Sequence, residues 1–306
     1  EPQTGAVKAW VGDIDFKSWK YDKVTAQRQP GSTFKLFVYT EAMNEGLTPC
    51  DKRRDEYISM QVYDKKKKEM TTWTPTNANG SFSGDSIPLK SAFAKSINSV
   101  AVRLGQELGI KNIIETAQKM GIESPLDDNP ALALGSSDVN LLELAGAYCT
   151  IANNGMHHRP TLVTRIVDSD GNEVFVDKST SEQVIPYKSA FFMQKLLMSG
   201  THDGGGTSVS LSAAEYAGNS FRDTDWGGKT GTTNNHSDAW FVGVSPNLVV
   251  GAWVGGEYRS IHFRTGALGQ GARTALPICG YFIHSVMEDP AFQKYHAKFQ
   301  TPNDES

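Results

Sequence analysis

The sequence predicts an α+β fold, an antiparallel sheet flanked by helices and interrupted by a largely helical sub-region. Two observations carry that expectation. Strand-like runs stand near both ends of the chain, at Val7–Val11 and again at Trp240–Val244 and Leu248–Val254. The stretch between Leu89 and Asn154 instead places apolar residues at helical spacing. Composition agrees, since 306 residues with 39% hydrophobic and 21% charged side chains make a globular chain with room for a large core.

Taken in order, Val7–Val11 reads as the first strand. Gln29-Pro30-Gly31-Ser32 then announces a helix, with Ser32 as an N-cap or first-turn residue. Phe34, Leu36, Phe37, Val38 and Tyr39 give that helix apolar bulk, and Gly46 is its expected stop. Residues 50–88 show no regular pattern, and Lys65 to Lys68 read as a solvated hairpin tip. Helices are expected at Leu89–Lys95, Ser99–Leu108, Ile113–Met120 and Leu141–Asn153, punctuated by Gly105, Gly109, Gly121 and Gly155. Leu162–Asp168 and Glu173–Val176 flank Asp170-Gly171-Asn172 as a hairpin, and Ser189–Met198 is a further helix. His202 to Gly228 is glycine-rich and polar, and reads as a mobile loop whose C-terminal end borders the strand that follows. The last two strands turn at Ser245-Pro246-Asn247. In domain terms this predicts one unit over 1–290, with a sheet region at 1–45 and 156–290 and the helical sub-region at 46–155, then a tail at 291–306.

Several function classes drop out. A net charge of −4 without basic clustering argues against a nucleic-acid surface. Cys50, Cys149 and Cys279 form neither a disulfide framework nor a zinc spacing. The longest uncharged stretch, Ala239 to Gly256, is broken by Ser245-Pro246-Asn247 and reads as two strands rather than a membrane span. No signal peptide opens the chain, which starts inside the strand-like run Gly5–Gly12, as a piece cut from a longer protein would.

Three short motifs can carry chemistry. In Ser32-Thr33-Phe34-Lys35 a helix puts the hydroxyl and the amine on one face. A desolvated lysine is a base able to activate a serine, and a first helical turn offers N–H groups to an oxyanion. Chance gives roughly one Ser-x-x-Lys in a chain of this size, so the motif is weak by itself. Lys229-Thr230-Gly231-Thr232 offers a cation, two hydroxyls and backbone N–H groups at a strand, with Gly231 removing a side chain that would block approach. Ser96-Ile97-Asn98 adds a second hydroxyl and an amide between two helices. A second Ser-x-Asn, at 245–247, falls after Lys-Thr-Gly and holds a turn proline, so it is set aside. Neither His157-His158 nor contiguous His236-Ser237-Asp238 builds a catalytic triad. Gly266–Gly271 lacks the frame, preceding strand and following helix of a nucleotide loop.

Order makes the three motifs specific. With 64 residues from Ser32 to Ser96 and 133 from Ser96 to Lys229, they follow the Ser-x-x-Lys, Ser-x-Asn, Lys-Thr-Gly series of penicillin-binding proteins and class A β-lactamases. The chain resembles the transpeptidase domain of class A (bifunctional) penicillin-binding proteins. The resemblance extends to Gly5–Gly12, Arg28–Lys35, Trp73-Thr-Pro-Thr-Asn77, Leu89–Asn98, Gly228–Thr233 and Asp238–Gly243, and covers about residues 4–285. It departs at 206–225, which is longer and more polar than the usual approach to Lys-Thr-Gly.

The resemblance implies the penicillin-binding/serine β-lactamase-like fold and action on peptidoglycan stem peptides. It implies Ser32 as nucleophile, Lys35 as base, Ser96 as proton relay, Asn98 as holder of the substrate amide and Lys229 as electrostatic partner. Thr230, Gly231 and Thr232 would bind the substrate, the threonines taking its terminal carboxylate, and the N–H groups of Ser32 and Thr232 would receive the oxyanion. β-Lactams would acylate Ser32. Neither metal nor cofactor is called for. Other cell-wall synthesis proteins would be partners, and an anchor outside this chain would hold the domain on the outer face of the cytoplasmic membrane. Two rivals stand beside this reading. A class D β-lactamase shares Ser-Thr-Phe-Lys but has valine at the Asn98 position, and a class A β-lactamase needs a Glu-x-x-Leu-Asn segment that is missing between Asn98 and Lys229. A non-catalytic β-lactam sensor is opposed by the matches at 73–77 and 238–243.

Overall fold

The structure, a computed structural model, describes residues 1–301 other than Phe16, Ser18, Trp19, Lys65 and Lys66. Pro30 and Gly31 lead into a 3-10 turn, Gly31–Phe34, which runs directly into helix α1, Lys35–Asn44. Nine of its ten residues are buried, so α1 forms the axis of the main core rather than a surface helix. It ends where expected, beside Gly46 in the left-handed region. Strands β1 (Lys52–Arg54), β2 (Met60–Asp64), β3 (Glu69–Trp73) and β4 (Ser86–Pro88) follow, pairing as β1 with β4 and β2 with β3. The stretch that looked irregular therefore holds two small ribbons, whose three- to five-residue strands are too short to show periodicity. Lys67 and Lys68 lie in the β2–β3 turn, while Lys65 and Lys66 of that lysine run fall outside the described residues.

Helices α2 (Leu89–Ala94), α3 (Asn98–Leu108), α4 (Ile110–Lys119) and α5 (Leu141–Ala152) form the helical sub-region. Strands β5 (Met156–His157), β6 (Arg165–Val167), β7 (Glu173–Val176) and β8 (Glu182–Gln183) pair as β5 with β8 and β6 with β7, and helix α6 (Tyr187–His202) returns to the core. The main sheet then forms from β9 (Gly227–Thr232), β10 (Asp238–Val244) and β11 (Val249–Gly255), antiparallel and in the order β11-β10-β9. Ser245 caps the β10–β11 turn by accepting from Leu248 N–H, so the rejected Ser-Pro-Asn is a turn. The short helix α7 (Gly266–Gly269) and helix α8 (Ala275–Glu288) follow. Hence the Gly266–Gly271 run does precede a helix, contrary to expectation.

β10 is buried throughout, and its alternation builds two cores. Trp240, Val242 and Val244 join the α1 core, whereas Phe241 joins a second core with α8. Register puts Lys229 opposite Val242, so Lys229 faces the α1 core and is 1% exposed. Three free cysteines are described, and no described helix is long and apolar enough to cross a membrane.

Two expectations are corrected. Val7–Val11 forms no strand, because among the described residues its backbone pairs with the rest of the fold only at the isolated bridge of Ala6 with Thr161. Local alternation supplied the pattern, but a strand needs a partner edge, and the edge of β11 is not hydrogen-bonded to it. The 203–226 segment is no simple loop either. It holds 3-10 turns at Val209–Ser212 and Gly218–Arg222, and Leu211, Ala217 and Trp226 are buried in the second core. Its apolar residues are isolated among polar ones, so their packing on α8 leaves no periodic signal.

Candidate active site

The turn bearing Ser32 is anchored from four sides. Arg28 exchanges backbone hydrogen bonds with Val139. The Trp240 indole donates to Gln29 O at 2.8 Å, and the Tyr148 hydroxyl donates to Thr33 O at 2.8 Å. Arg28 Nε also donates to Asp238 Oδ1 at 2.6 Å, a pair that is 4% and 0% exposed. Gly31 carries φ +54, and a Cβ there would come 2.7 Å from Thr232 O and 3.1 Å from Thr232 N. A Cβ on Gly231 would likewise collide with Pro30 O. These two glycines let the turn lie against the edge of β9, with the Thr232 backbone close to Gly31.

Lys35 sits in the first position of α1, fully buried. Its Nζ donates to Ser96 O and to Asn98 Oδ1, both at 2.7 Å, and lies 3.2 Å from Ser96 Oγ. Burial pushes its ammonium well below the usual lysine range, and the Lys229 charge pushes it further down. A neutral amine has two N–H bonds and one lone pair. In that form the two carbonyl oxygens take the two N–H groups and the lone pair faces Ser96 Oγ, whose own proton can point at it. The sequence expectation set Ser32 beside this amine, yet the Ser32 hydroxyl has no hydrogen-bond partner among the described residues and is half-buried. Thus Lys35 is held by the Ser96–Asn98 segment, and Ser32 is left unengaged.

Ser96 sits between α2 and α3 at φ +56, which costs a non-glycine residue on the order of 1–3 kcal/mol. Both lysines hold it there, since Lys229 Nζ donates to Ser96 Oγ at 2.9 Å and to Thr230 O at 3.0 Å. Lys229 also lies 5.7 Å over the Phe93 ring. Burial lowers its pKa to about 7. Ser96, Asn98, Lys35 and Lys229 are therefore in one hydrogen-bonded cluster, drawn from three segments far apart in the chain.

Thr230 and Thr232 hold their hydroxyls differently. Thr230 Oγ1 donates to Thr207 Oγ1 at 2.8 Å, whereas Thr232 Oγ1 accepts from Gly271 N–H at 3.2 Å and so keeps its own proton. Sequence reasoning missed Thr207 and Gly271, and it quoted Asn77 without a role. Asn77 Oδ1 accepts from the N–H groups of Asn98 and Ser99, capping α3 from outside. Asn77 Nδ2 and Ser99 Oγ both donate to Asp55 Oδ1. Burial raises the Asp55 carboxyl, but donors from Ser99, Ser83 and Asn77 outweigh it and leave the group below its ordinary value. Asn98 Nδ2 donates to Thr76 O, so the whole amide is oriented. The Thr-Asn pair at 76–77 was the available signal.

Comparison with known proteins identifies the family. A family model for the penicillin binding protein transpeptidase domain matches residues 1–254. The chain is 34% identical over 264 residues to penicillin-binding protein 2D of Bacillus subtilis, across 85% of this chain and 37% of that protein. It is 33% identical over 285 residues to penicillin-binding protein 1A of Neisseria lactamica, across 91% of this chain and 34% of that protein. The chain thus spans about a third of the length of these curated relatives. Among solved structures it superposes on penicillin-binding protein 1A from Haemophilus influenzae with a TM-score of 0.80 and 26% identity, covering 96% of this chain and 46% of that one. PonA1 from Mycobacterium tuberculosis, solved in complex with penicillin V, shares the fold at a TM-score of 0.78 and 24% identity, covering 99% of this chain and 78% of that one. With the ordered motifs, the matching family model and the shared fold, the chain belongs to the transpeptidase domains of penicillin-binding proteins, of the class A kind.

Proposed function

We propose that the domain is a peptidoglycan D,D-transpeptidase working through an acyl-enzyme on Ser32, and that β-lactams inhibit it by acylating the same atom. The observation that carries this is the cluster at Lys35, a fully buried amine held by Ser96 and Asn98 and joined through Ser96 Oγ to Lys229. Ser32 Oγ attacks the penultimate D-alanine carbonyl as its proton passes to Lys35. Ser96 relays that proton to the departing amine, and the terminal D-alanine leaves. An amine on a neighbouring strand then attacks the ester, loses a proton and releases Ser32. The N–H groups of Ser32 and Thr232 take the oxyanion, a contribution of about 2.7–4 kcal/mol per donor in enzymes of this logic. Asn98 holds the substrate amide, Gly231 gives the peptide close access to β9, and Thr230 and Thr232 face its carboxylate. In this reading residues 1–290 act as one domain, on the outer face of the cytoplasmic membrane, held by an anchor outside this chain.

Benzylpenicillin should add its whole mass to the protein, and peptide mapping should place it on Ser32. A label elsewhere, or none on folded protein, rules the reading out. The adduct should persist for long times, against a β-lactamase, and the domain should cross-link stem peptides, against a sensor.

The two lowered lysines set the pH dependence. Lys35 must be neutral to accept the Ser32 proton, so acylation rises as pH climbs through its depressed value. Lys229 must be charged to serve the anionic substrate, so acylation falls as pH passes about 7. The expected profile of acylation rate is a bell whose alkaline limb lies near neutrality. A rate that keeps rising to about pH 10, as an unperturbed lysine base would give, contradicts the assignment.

A further inference from the structure

The carboxylate end of the site has a member outside the three motifs. Thr207 lies in the approach to β9, half-buried, and its hydroxyl has Thr230 as its one side-chain partner among the described residues. Its position is built rather than incidental. Thr207 N–H donates to Ala94 O at the end of α2, and Ser208 N–H donates to Gly200 O near the end of α6, each at 3.0 Å. Ser208 is fully buried, and Lys90, in the first turn of α2, meets Asp203 at 3.1 Å just past the end of α6. The threonine is thereby clamped between α2, α6 and β9, 23 residues before Thr230 in the chain.

A carboxylate only accepts hydrogen bonds, so every oxygen it presents needs an N–H or O–H. Thr230 by itself offers one hydroxyl, and in the structure that hydroxyl donates to Thr207. Two hydroxyls sharing one bond behave differently. If the anion draws the Thr230 proton, Thr207 turns its own proton onto Thr230 Oγ1 and supports the donor. If Thr230 keeps donating to Thr207, the Thr207 proton is the one left over. In both arrangements one O–H remains for the anion and neither oxygen is stranded.

Resting on the Ser32 reading above, we propose that Thr207 is a positioning residue for the carboxylate of the donor peptide and of β-lactams, acting through its shared hydrogen bond with Thr230. It acts on the anionic end of the ligand, not on the reacting carbonyl. Its removal should therefore matter only for ligands that carry the anion.

The test compares acylation of the intact protein by benzylpenicillin and by benzylpenicillin methyl ester, followed by intact mass, in the wild type, Thr207→Val, Thr207→Ala and Thr207→Ser. Thr207→Val should slow the free acid about tenfold, the size of one good hydrogen bond, and leave the ester within about twofold. Thr207→Ser should restore the free acid, since it returns the hydroxyl without the methyl. Should the valine variant not fold, Thr207→Ala must show the same fall in the acid-to-ester ratio. Equal losses for acid and ester would show a packing role and overturn the proposal, as would acid rates unchanged in the valine and alanine variants. Failure of the underlying reading looks different: the wild type itself would then carry no adduct on Ser32, and both would fall together.

Discussion

Replacing Lys35 should slow acylation by benzylpenicillin about 10²–10⁴-fold, the range that a positioned general base contributes. Alanine would also empty core volume around α1, where Lys35 is fully buried. Lys35→Met is the cleaner variant, because it keeps the stem volume and removes only the amine. That variant should still fold, because losing a buried amine offsets part of the cost of leaving Ser96 O and Asn98 Oδ1 without their donor. Second-order acylation constants for the methionine variant, with circular dichroism as a fold check, decide the matter. Unchanged kinetics in folded protein would remove Lys35 from the mechanism.

The second large effect concerns stability. Asp238→Ala should destabilise the domain by about 3–5 kcal/mol, because it leaves the Arg28 guanidinium buried without its counter-charge. Asp238 holds more than that one partner. Its Oδ1 also accepts from the Trp253 indole at 3.0 Å, and its Oδ2 accepts from Ser237 Oγ at 2.7 Å. Arg28 further donates to Glu257 O and packs 5.0 Å over the Trp253 ring. Since Arg28 begins the segment that ends at Lys35, the loss should slow acylation as well as lower the urea midpoint. Arg28→Met with Asp238→Leu should recover part of the stability, because neither charge then stays buried alone. A single-variant loss below about 1 kcal/mol would show the pair to be as weak as a surface bridge.

Asp238 illustrates how far reading residues in order can go. It was quoted in a match and set aside as part of a contiguous His-Ser-Asp, and in the fold it braces the turn that bears Ser32 through Arg28. The three motifs proposed to carry chemistry were legible because each is short and locally organised. A serine three residues before a lysine, at a Pro-Gly helix start, announces its own geometry. Thr207 is the opposite case. One threonine after three glycines has no local signature, and its meaning comes from a helix end and a strand that fold against it. Gly271 was passed over for the same reason, being part of a run that resembled something else.

Hydrophobic periodicity determined the helices α2 to α6, because a helix is stabilised by contacts three and four residues apart that the sequence displays directly. The motif order and the identity of Ser32, Lys35, Ser96, Asn98 and Lys229 as one set were likewise present in the chain. Tertiary structure alone decided which strands pair, so Val7–Val11 stayed unpaired despite its alternation, and 203–226 was secured by Leu211, Ala217 and Trp226. It also decided the protonation of the site. Lys35 and Lys229 have the same chemistry in the unfolded chain; in the fold desolvation lowers both, and the Lys229 charge lowers Lys35 further, which suits Lys35 to the base role proposed for it.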